Sequence, residues 1–262
     1  MRNVRLLEME KLIAQSGTVS MTELCGHFNV SMNTVRRDVA ELKRRGGIEK
    51  VYGGVVSVND APKALRSLDE RQPIAEVSKQ SICRLAAGLL ADGDTIFVDS
   101  GTTMVYLADN LAAFSELTIV TNNLALVQRA IPYENLRVIV LPGQLRHKTN
   151  SLTGMETVRS LRQFNVKKAF LAATGTTASG VTNSSPQEYE IKRCALECSQ
   201  VRVLMLGREK FGHAGLMTYG RFEDFDYVVT DRPPENSYVS AVQQAGAKLL
   251  VASEQSAPPP KA

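Results

Sequence analysis

Residues 31–42 read Ser-Met-Asn-Thr-Val-Arg-Arg-Asp-Val-Ala-Glu-Leu, and this stretch decides the fold of the N-terminal part of the chain. Val35, Val39 and Leu42 recur at the i, i+4, i+7 spacing that places side chains on one face of a helix. Ser31 is a residue type that caps helix N-termini. The stretch therefore predicts a helix that begins after Ser31 and buries an apolar stripe.

Patterns on both sides of this helix extend the prediction. Apolar residues recur at helical spacing over residues 4–13, and a second helix is expected from about Met21. Residues 48–56 predict two short strands around a turn. Three helices followed by a hairpin form a winged helix-turn-helix, and we assign residues 1–56 to a DNA-binding domain of this kind.

The third helix carries the residues that we expect to contact DNA. In a helix-turn-helix this helix lies in the major groove, where arginine pairs with guanine and asparagine with adenine. With the apolar stripe buried, the first turn projects Asn33, Arg36 and Arg37 outward, while basic residues at the helix end and wing meet phosphates. The alternative for Arg36 is a surface ion pair with Asp38 or Glu41. The candidate DNA contacts are Ser31, Asn33, Thr34, Arg36, Arg37, Arg44, Arg45, Lys50 and Tyr52.

Composition and charge indicate an ordinary globular protein of the cytoplasm. Of the 262 residues, 44% are hydrophobic and 22% are charged, and the net charge is +4. The sequence contains no run of about 18 apolar residues that would predict a membrane span. Glu8 and Glu10 interrupt any signal-peptide core, and four cysteines give no framework for a disulfide-rich secreted domain. Between Arg36 and Lys50, six basic residues face three acidic ones, as expected for a DNA-binding element.

From Ile74 onward, compact apolar runs alternate with helical patterns. Seven runs are rich in β-branched and other apolar residues, and they cover 95–98, 117–120, 138–141, 169–172, 201–206, 227–229 and 248–251. Short runs separated by helices predict a mostly parallel sheet that is covered on both faces. We therefore assign residues 74–252 to a Rossmann-like α/β domain, residues 57–73 to a linker and residues 253–262 to a disordered tail.

The loop after the first of these runs is a candidate anion site. It reads Asp99-Ser100-Gly101-Thr102-Thr103 and leads into a helix, so backbone N–H groups and hydroxyls converge at a helix N-terminus. Open α/β sheets bind their ligands at this carboxyl edge of the strands. The alternative is a capped turn that binds no ligand.

Loops after the other runs reach the same edge and add candidate contacts. Polar and glycine residues follow the second, third and fourth runs, and four cations lie near these loops in sequence. One or two of the cations would neutralise the charge of a ligand, and a solvated surface position is the alternative for each. The candidate effector contacts are Asp99, Ser100, Gly101, Thr102, Thr103, Thr121, Asn122, Gly143, Arg146, Lys148, Gly175, Lys192 and Lys210.

The N-terminal domain resembles that of the DeoR-type bacterial regulators of sugar metabolism. The family pattern for the recognition helix is Ser-x-x-Thr-[Ile/Val]-Arg-Arg-Asp-Leu, which residues 31–39 match with Val39 in the last position. The wing ends in Gly-Gly-Val where the family usually has Gly-Gly-Ala, and Tyr52 replaces a common histidine. None of these departures removes a proposed base contact.

The resemblance continues through the second domain to about Val251. It rests on the loop at 99–103 and on the Lys-Phe-Gly sequence at 210–212, among other segments. It implies a sensing domain similar to ribose-5-phosphate isomerase and CoA transferases, which binds a phosphorylated sugar or related metabolite. Two departures concern the effector. Gly207 stands where the family usually has an aspartate, and residues 173–177 differ from the usual Gly-x-x-Gly form.

The resemblance implies a repressor of a carbohydrate-utilisation operon that a phosphorylated metabolite releases from double-stranded operator DNA. Because such proteins read two half-sites, we expect a homodimer or homotetramer, with no cofactor, metal or catalytic residue. One alternative is a sugar-phosphate isomerase or transferase with a DNA-binding extension, in which Asp99 or Glu188 acts as the base. Another is an activator. Cys194 and Cys198 are interpreted as core residues rather than as a metal site.

Overall fold

The computed structural model describes residues 2–16, 18–51, 54–57 and 68–252. These residues fall into two compact units, which divide between positions 66 and 67. Each unit buries its own apolar side chains. The chain therefore consists of a small N-terminal unit and a large C-terminal unit, each with a separate core.

The N-terminal unit is a winged helix-turn-helix. Its elements are α1 (Arg2–Ser16), β1 (Thr18–Val19), α2 (Met21–Phe28), α3 (Met32–Arg44), β2 (Ile48–Val51) and β3 (Gly54–Ser57). The strands form an antiparallel sheet in the order β1-β3-β2. The sequence predicts only β2 and β3, and β1 forms because the free edge of β3 accepts a third strand.

The sequence of α3 explains where this helix begins and which face it buries. The Ser31 hydroxyl accepts the N–H of Thr34 at 3.3 Å and so caps the helix. The side chains of Val35, Val39 and Leu42 are completely buried in the core of the unit. The predicted third helix and its apolar stripe are confirmed.

The C-terminal unit contains a seven-stranded sheet, two small antiparallel sheets and the helices that pack on them. Its helices are α4 (Leu68–Arg71), α5 (Glu76–Ala87), α6 (Thr102–Val105), α7 (Ala108–Leu111), α8 (Leu124–Ala130), α9 (Met155–Leu161), α10 (Pro186–Cys198) and α11 (Asn236–Gln244). Its strands are β4 (Thr95–Val98), β5 (Leu117–Thr121), β6 (Leu136–Val140), β7 (Gln144–Arg146), β8 (Ser151–Thr153), β9 (Val166–Ala172), β10 (Gly175–Thr177), β11 (Gly180–Asn183), β12 (Ser199–Met205), β13 (Met217–Gly220), β14 (Tyr227–Thr230) and β15 (Lys248–Val251).

The seven apolar runs in the sequence become the seven strands of one sheet, which confirms the predicted α/β architecture. The strand order is β15-β14-β12-β9-β4-β5-β6, and every neighbouring pair is parallel. The chain runs from β4 outward to β6 and then returns to β9 on the other side of β4. The strand order therefore reverses between β4 and β9, and open α/β sheets bind ligands at such a switch point.

Both faces of the sheet are covered, and each face has its own apolar cluster. Along β4, Phe97 lies in one cluster, while Ile96 and Val98 lie in the other. This alternation follows from the pleat, which points successive side chains to opposite faces. Burial on both faces explains why the strands read as nearly continuous apolar runs.

Five short strands are absent from the sequence prediction. β7 and β8 form a hairpin, and β10, β11 and β13 form an antiparallel sheet. These strands have three or four residues each, and all except β7 contain glycine or hydroxyl side chains. Segments of this length and composition show too few apolar positions for a period to be recognised.

Residues 68–71 belong to the C-terminal unit, which corrects the predicted linker over residues 57–73 at its C-terminal end. Leu68 is 2% exposed and packs against Val105 and Ala125. A single buried leucine has no periodicity that would separate it from a linker in the sequence. The start of the C-terminal unit was therefore visible only in the tertiary structure.

Three other sequence expectations concern the whole chain. Within the described residues, no helix is both long and apolar enough to cross a membrane. The cysteines are free thiols, with Cys194 buried as predicted and Cys198 half-buried. The predicted tail at residues 253–262 lies outside the described part of the chain.

Candidate functional site

The first turn of α3 presents the candidate base contacts. Asn33, Arg36 and Arg37 are exposed, and Thr34 is half-buried. The Ser31 hydroxyl lies 3.0 Å from Thr34 Oγ1 in addition to capping the helix. Side chains that can pair with base edges therefore project from a helix end whose geometry is fixed by a cap.

Arg36 and Arg37 form no ion pair with any carboxylate in the described parts of the chain. Glu41 pairs instead with Arg44 at 2.9 Å and with Arg45 at 3.0 Å. The surface ion pair that was the alternative for Arg36 is therefore not observed. Two exposed guanidinium groups remain available for a nucleic acid.

The predicted phosphate contacts differ from one another in their surroundings. Hydrogen bonds from Arg44 and Arg45 lower the pKa of Glu41 to about 2. These contacts are solvent-exposed, so phosphates can compete for the same donors. Lys50 lies in β2, and Tyr52 lies outside the described residues. A phosphate contact by any of these residues stays a prediction.

Asp38 anchors α3 to α1. Its carboxylate Oδ2 accepts a hydrogen bond from Arg5 Nε at 2.8 Å, and its side chain is 1% exposed. Asp38 directly follows the exposed Arg36 and Arg37 in the sequence. The Arg-Arg-Asp motif therefore points two charges outward and one inward, and the inward charge orients the other two.

Asp99 joins three elements at the switch point of the large sheet. It follows β4, and its carboxylate accepts the N–H of Ser100 at 2.8 Å and the N–H of Ala172 at 2.9 Å. The ammonium of Lys192 in α10 pairs with the same carboxylate. Both charged side chains are almost fully buried. The start of the 99–103 loop is therefore fixed to β9 and α10.

Lys192 has its partners within the protein. Besides Asp99, its ammonium donates to the carbonyl of Ala172 at 3.0 Å and lies 5.3 Å from the centre of the Tyr219 ring. Tyr219 donates to the same carbonyl at 2.9 Å. These contacts give Lys192 a role in positioning the loop, and a direct contact with an effector stays a prediction.

Gly101 lets this loop approach β9. Its φ of +151° lies in a region that side chains disfavour, and a Cβ at this position would lie 3.0 Å from the Cβ of Ala172. The close approach places Thr102 and Thr103, the first residues of α6, at the edge of a cleft.

The cleft has a volume of about 550 Å³ and lies at the carboxyl edge of the sheet. It is lined by Arg71, Ile74, Ala75, Ser78, Lys79, Ile82, Thr102, Thr103, Gly207, Glu209 and Lys210. Three of these residues are cations and one is acidic. We call Arg71, Lys79 and Lys210 the cationic cluster.

The environment of the cationic cluster disfavours the charged forms of its two lysines. Burial and the nearby charges of Lys210 and Arg71 lower the pKa of Lys79 to about 8. Burial also lowers the pKa of Lys210 to about 8, against the opposing effect of Glu209. Depressed lysine pKa values mean that the protein environment disfavours these charges, and an anion in the cleft would favour them.

Glu209 occupies space beside Gly207, where the resembling family usually has an aspartate. A Cβ added to Gly207 would overlap the carboxylate of Glu209. Both residues line the cleft. Glu209, two positions after Gly207, thus supplies an acidic group to this part of the cleft.

Several predicted effector residues have structural partners instead. Thr121 Oγ1 donates to the carbonyl of Val98 at 2.6 Å, and Asn122 Nδ2 donates to the carbonyl of Leu152 at 2.9 Å. The backbone of Gly175 packs directly against His213. Gly143 lies between β6 and β7 and packs against the β8–α9 segment. Their contact with an effector stays a prediction.

The remaining predicted residues divide between a second polar group and the surface. Ser100 donates to Glu188 Oε1 at 3.1 Å, and Arg146 donates to the hydroxyl of Ser185, the N-cap residue of α10. Lys148 is exposed on the loop between β7 and β8. The structure therefore brings Thr102, Thr103 and Lys210 into the cleft, with Asp99 and Gly101 supporting its edge.

Two cations of the cleft were missed by the sequence analysis as effector contacts. Arg71 and Lys79 belong to α4 and α5, which precede the sheet, whereas the predicted contacts lie in loops that follow its strands or near those loops in sequence. The signal that could have found Arg71 is the Glu70-Arg71 pair within the family resemblance. No spacing in the sequence brings Lys79 to the cleft, because its position depends on how α5 packs.

A winged helix-turn-helix with free arginines on its recognition helix, followed by an α/β unit with a cationic cleft, defines a ligand-responsive DNA-binding regulator. Comparison with family models agrees. Residues 5–61 match the DeoR-like helix-turn-helix domain, and residues 75–232 match the DeoR C terminal sensor domain. The chain belongs to the DeoR family of transcriptional regulators.

Similar proteins include curated regulators that match almost along their whole length. The HTH-type transcriptional regulator IolR of Bacillus subtilis (strain 168) is 40% identical over 239 residues, which is 91% of this chain and 94% of that protein. The glycerol-3-phosphate regulon repressor of Escherichia coli (strain K12) is 31% identical over 233 residues, with 88% and 92% covered. Among solved structures, ribose 5-phosphate isomerase A from Methanocaldococcus jannaschii is 14% identical with a TM-score of 0.38, covering 52% of this chain and 54% of that one. The chain is a DNA-binding repressor and not an enzyme.

The Arg5–Asp38 ion pair generates a prediction about stability. The Asp38→Ala variant should lose about 3 kcal/mol in the free energy of unfolding of the N-terminal unit, because Arg5 loses a buried partner. Calorimetry of the full chain measures this loss as a lower midpoint temperature for unfolding of the N-terminal unit. Glu8→Ala, at an exposed position of α1, is the control and should change stability by less than about 0.5 kcal/mol. Equal effects of the two variants would exclude an anchoring role for Asp38.

Proposed function

We propose that the effector of this repressor is a small phosphorylated sugar or a related phosphorylated metabolite, bound in the cleft of the C-terminal unit. The observation that carries the proposal is the cationic cluster of Arg71, Lys79 and Lys210 beside the N-terminus of α6. A phosphate dianion matches three converging cations, and the hydroxyls of Thr102 and Thr103 can donate further hydrogen bonds to it.

The energetics of the cluster support an anionic ligand. Burying lysine ammonium groups without full neutralisation costs free energy, as their lowered pKa values indicate. Glu209 is the acidic residue that lines the cleft, and its charge opposes the lowering of both lysine pKa values without preventing it. A bound phosphate would remove the repulsion between the cations and so gain affinity.

The repressor binds operator DNA through α3, and we propose that effector binding weakens this interaction. The two binding events then disfavour each other by the same factor. A helix-turn-helix protein that reads two half-sites needs a two-fold partner, which favours a homodimer or a homotetramer in the cytoplasm. The name of the glycerol-3-phosphate regulon repressor supports a phosphorylated metabolite as the class of effector.

A thermal-shift screen tests the class of effector. Phosphorylated sugars and polyols are compared with their unphosphorylated forms on the full chain. A ligand at 100 times its dissociation constant should stabilise the C-terminal unit by about 2.7 kcal/mol. Stabilisation by the unphosphorylated compounds alone would refute the proposal.

Base reading by α3 predicts a specific loss of operator affinity. Arg36→Ala and Arg37→Ala should each weaken operator binding by about 1–3 kcal/mol, while binding to unrelated DNA falls much less. Fluorescence anisotropy with an operator duplex and an unrelated duplex measures the ratio of their dissociation constants. Arg162→Ala, at an exposed position of the C-terminal unit, is the control. Unchanged operator binding by both variants would refute the assignment of α3 as the recognition helix.

Lys210 should be unfavourable for stability and essential for effector binding. Lys210→Met should raise the unfolding free energy of the ligand-free C-terminal unit by about 1–3 kcal/mol at pH 7, because a disfavoured buried charge is removed. The same variant should lose the stabilisation by a sugar phosphate. Lys248→Met, an exposed lysine, is the matched control and should retain that stabilisation. If Lys210→Met lowered the stability of the ligand-free unit and retained the stabilisation by a sugar phosphate, the proposed cleft would be contradicted.

Effector binding should weaken as the pH rises through about 8. The pKa values of Lys79 and Lys210 are lowered to about 8, so both ammonium groups lose their protons between pH 7 and 9. A sugar phosphate remains a dianion in this range because its second pKa is about 6. Titration calorimetry with a stabilising sugar phosphate at pH 7, 8 and 9 measures the change in its dissociation constant. Constant affinity would show that neither lysine contacts the phosphate.

A further inference from the structure

The short helix α4 lies between two cavities. Arg71 at its end lines the cationic cleft, and Leu68 at its start lines a separate cleft of about 530 Å³ together with Gln72. In the sequence, residues 58–67 connect α4 to strand β3 of the wing. In the chain, α4 is therefore the first helix of the C-terminal unit after the DNA-binding unit.

Among the described residues, the start of α4 is held by the contacts of Leu68. The side chain of Leu68 packs with Val105 and Ala125 in a small cluster that is separate from the two cores of the large sheet. Its N–H donates to the carbonyl of Lys148 at 3.0 Å. An element that buries one apolar side chain in this way is attached by far less apolar burial than a core helix.

Contacts at the end of α4 include a member of the cationic cluster. The ammonium of Lys79 donates to the carbonyl oxygens of Arg71 at 2.6 Å and Gln72 at 3.1 Å. The hydroxyl of Tyr106 donates to the same Gln72 carbonyl at 3.2 Å. Lys79 thus faces the cleft and also attaches the backbone of α4 to α5.

Charge repulsion opposes this attachment when the cleft holds no anion. Arg71 and Lys210 both disfavour the charged form of Lys79, and Arg71 also disfavours that of Lys210. An anion between these groups replaces repulsion with attraction. It therefore draws the guanidinium of Arg71 and the ammonium of Lys79 together, and both side chains are linked to the backbone of α4.

We propose that α4 is the element that transmits occupancy of the cleft to the DNA-binding unit. An anion bound by Arg71 and Lys79 locks α4, the first helix of the C-terminal unit in the chain, onto that unit. Lys79 is a positioning residue for α4 as well as an effector contact. The inference rests on the proposed function, since it requires an anion in the cleft. A ligand shifts such an equilibrium only by its differential affinity for the two positions of α4.

Hydrogen exchange tests the locking step on the full chain. Inorganic phosphate is the probe, and a chloride buffer of equal ionic strength is the control. We expect phosphate to slow exchange at the amides of Leu68 and Gln72 at least about fivefold, within the usual range of coupling. The thermal midpoint, measured in parallel, reports binding itself. A raised midpoint without slower exchange at α4 would overturn the inference and leave the proposed function standing. An unchanged midpoint would overturn both.

Transmission to DNA is tested by detaching α4 without changing the cleft. The readout is the ratio of dissociation constants with and without phosphate, for a duplex selected from a random pool by the full chain. Leu68→Ala should retain the phosphate-induced midpoint shift but reduce this ratio at least about fivefold toward one. Leu216→Ala, the same substitution at a 71% exposed position, should leave the ratio unchanged.

A milder variant guards against a local folding defect in Leu68→Ala. Tyr106→Phe removes the hydroxyl that donates to the Gln72 carbonyl and retains the ring. We expect a partial reduction of the ratio, with the phosphate-induced midpoint shift intact. If Leu68→Ala and Tyr106→Phe both kept the ratio of dissociation constants of the unaltered protein, the signal would not pass through α4.

Discussion

The buried ion pair between Asp99 and Lys192 is the constraint on which the C-terminal unit depends. It joins the end of β4 to α10, and the backbone of Ala172 brings in the end of β9. These elements meet where the strand order of the sheet reverses. A buried pair of this kind is costly to break, because either partner alone would be an uncompensated charge. The loop that carries Thr102 and Thr103 to the cleft is therefore fixed by an almost fully buried pair of charges.

The cleft next to this pair uses charge in the opposite way. Arg71, Lys79 and Lys210 come from three different segments, and the charge of Arg71 helps to lower the pKa values of both lysines. Asp99 and Lys192 form a buried ion pair, whereas the lysines of the cationic cluster have lowered pKa values that an anion in the cleft would raise. Under the proposed function, stability and ligand affinity thus belong to neighbouring but separate groups. The proposed role of α4 makes its attachment depend on the second group and on occupancy of the cleft.

The DNA-binding unit divides its charges in the same manner. Asp38 is buried against Arg5 and fixes the orientation of α3, while Arg36 and Arg37 remain exposed and without ion-pair partners in the described residues. Glu41 pairs with both Arg44 and Arg45 at the far end of the helix. Arginines without an ion-pair partner in the described residues therefore lie at the end of α3 that is proposed to read bases. The membership of the chain in the DeoR family agrees with this distribution.

The sequence alone determined the helices and strands whose apolar residues repeat with a clear period. The stripe of Val35, Val39 and Leu42 and the seven runs of the parallel sheet belong to this class, because burial imposes a pattern on neighbouring residues. The sequence also located the 99–103 loop, since carboxyl edges of parallel strands converge. Only the tertiary structure decided that Lys192 pairs with Asp99 and that Arg71 and Lys79 enter the cleft. These contacts join residues far apart in the chain, and no local pattern records how α4, α5 and α10 pack.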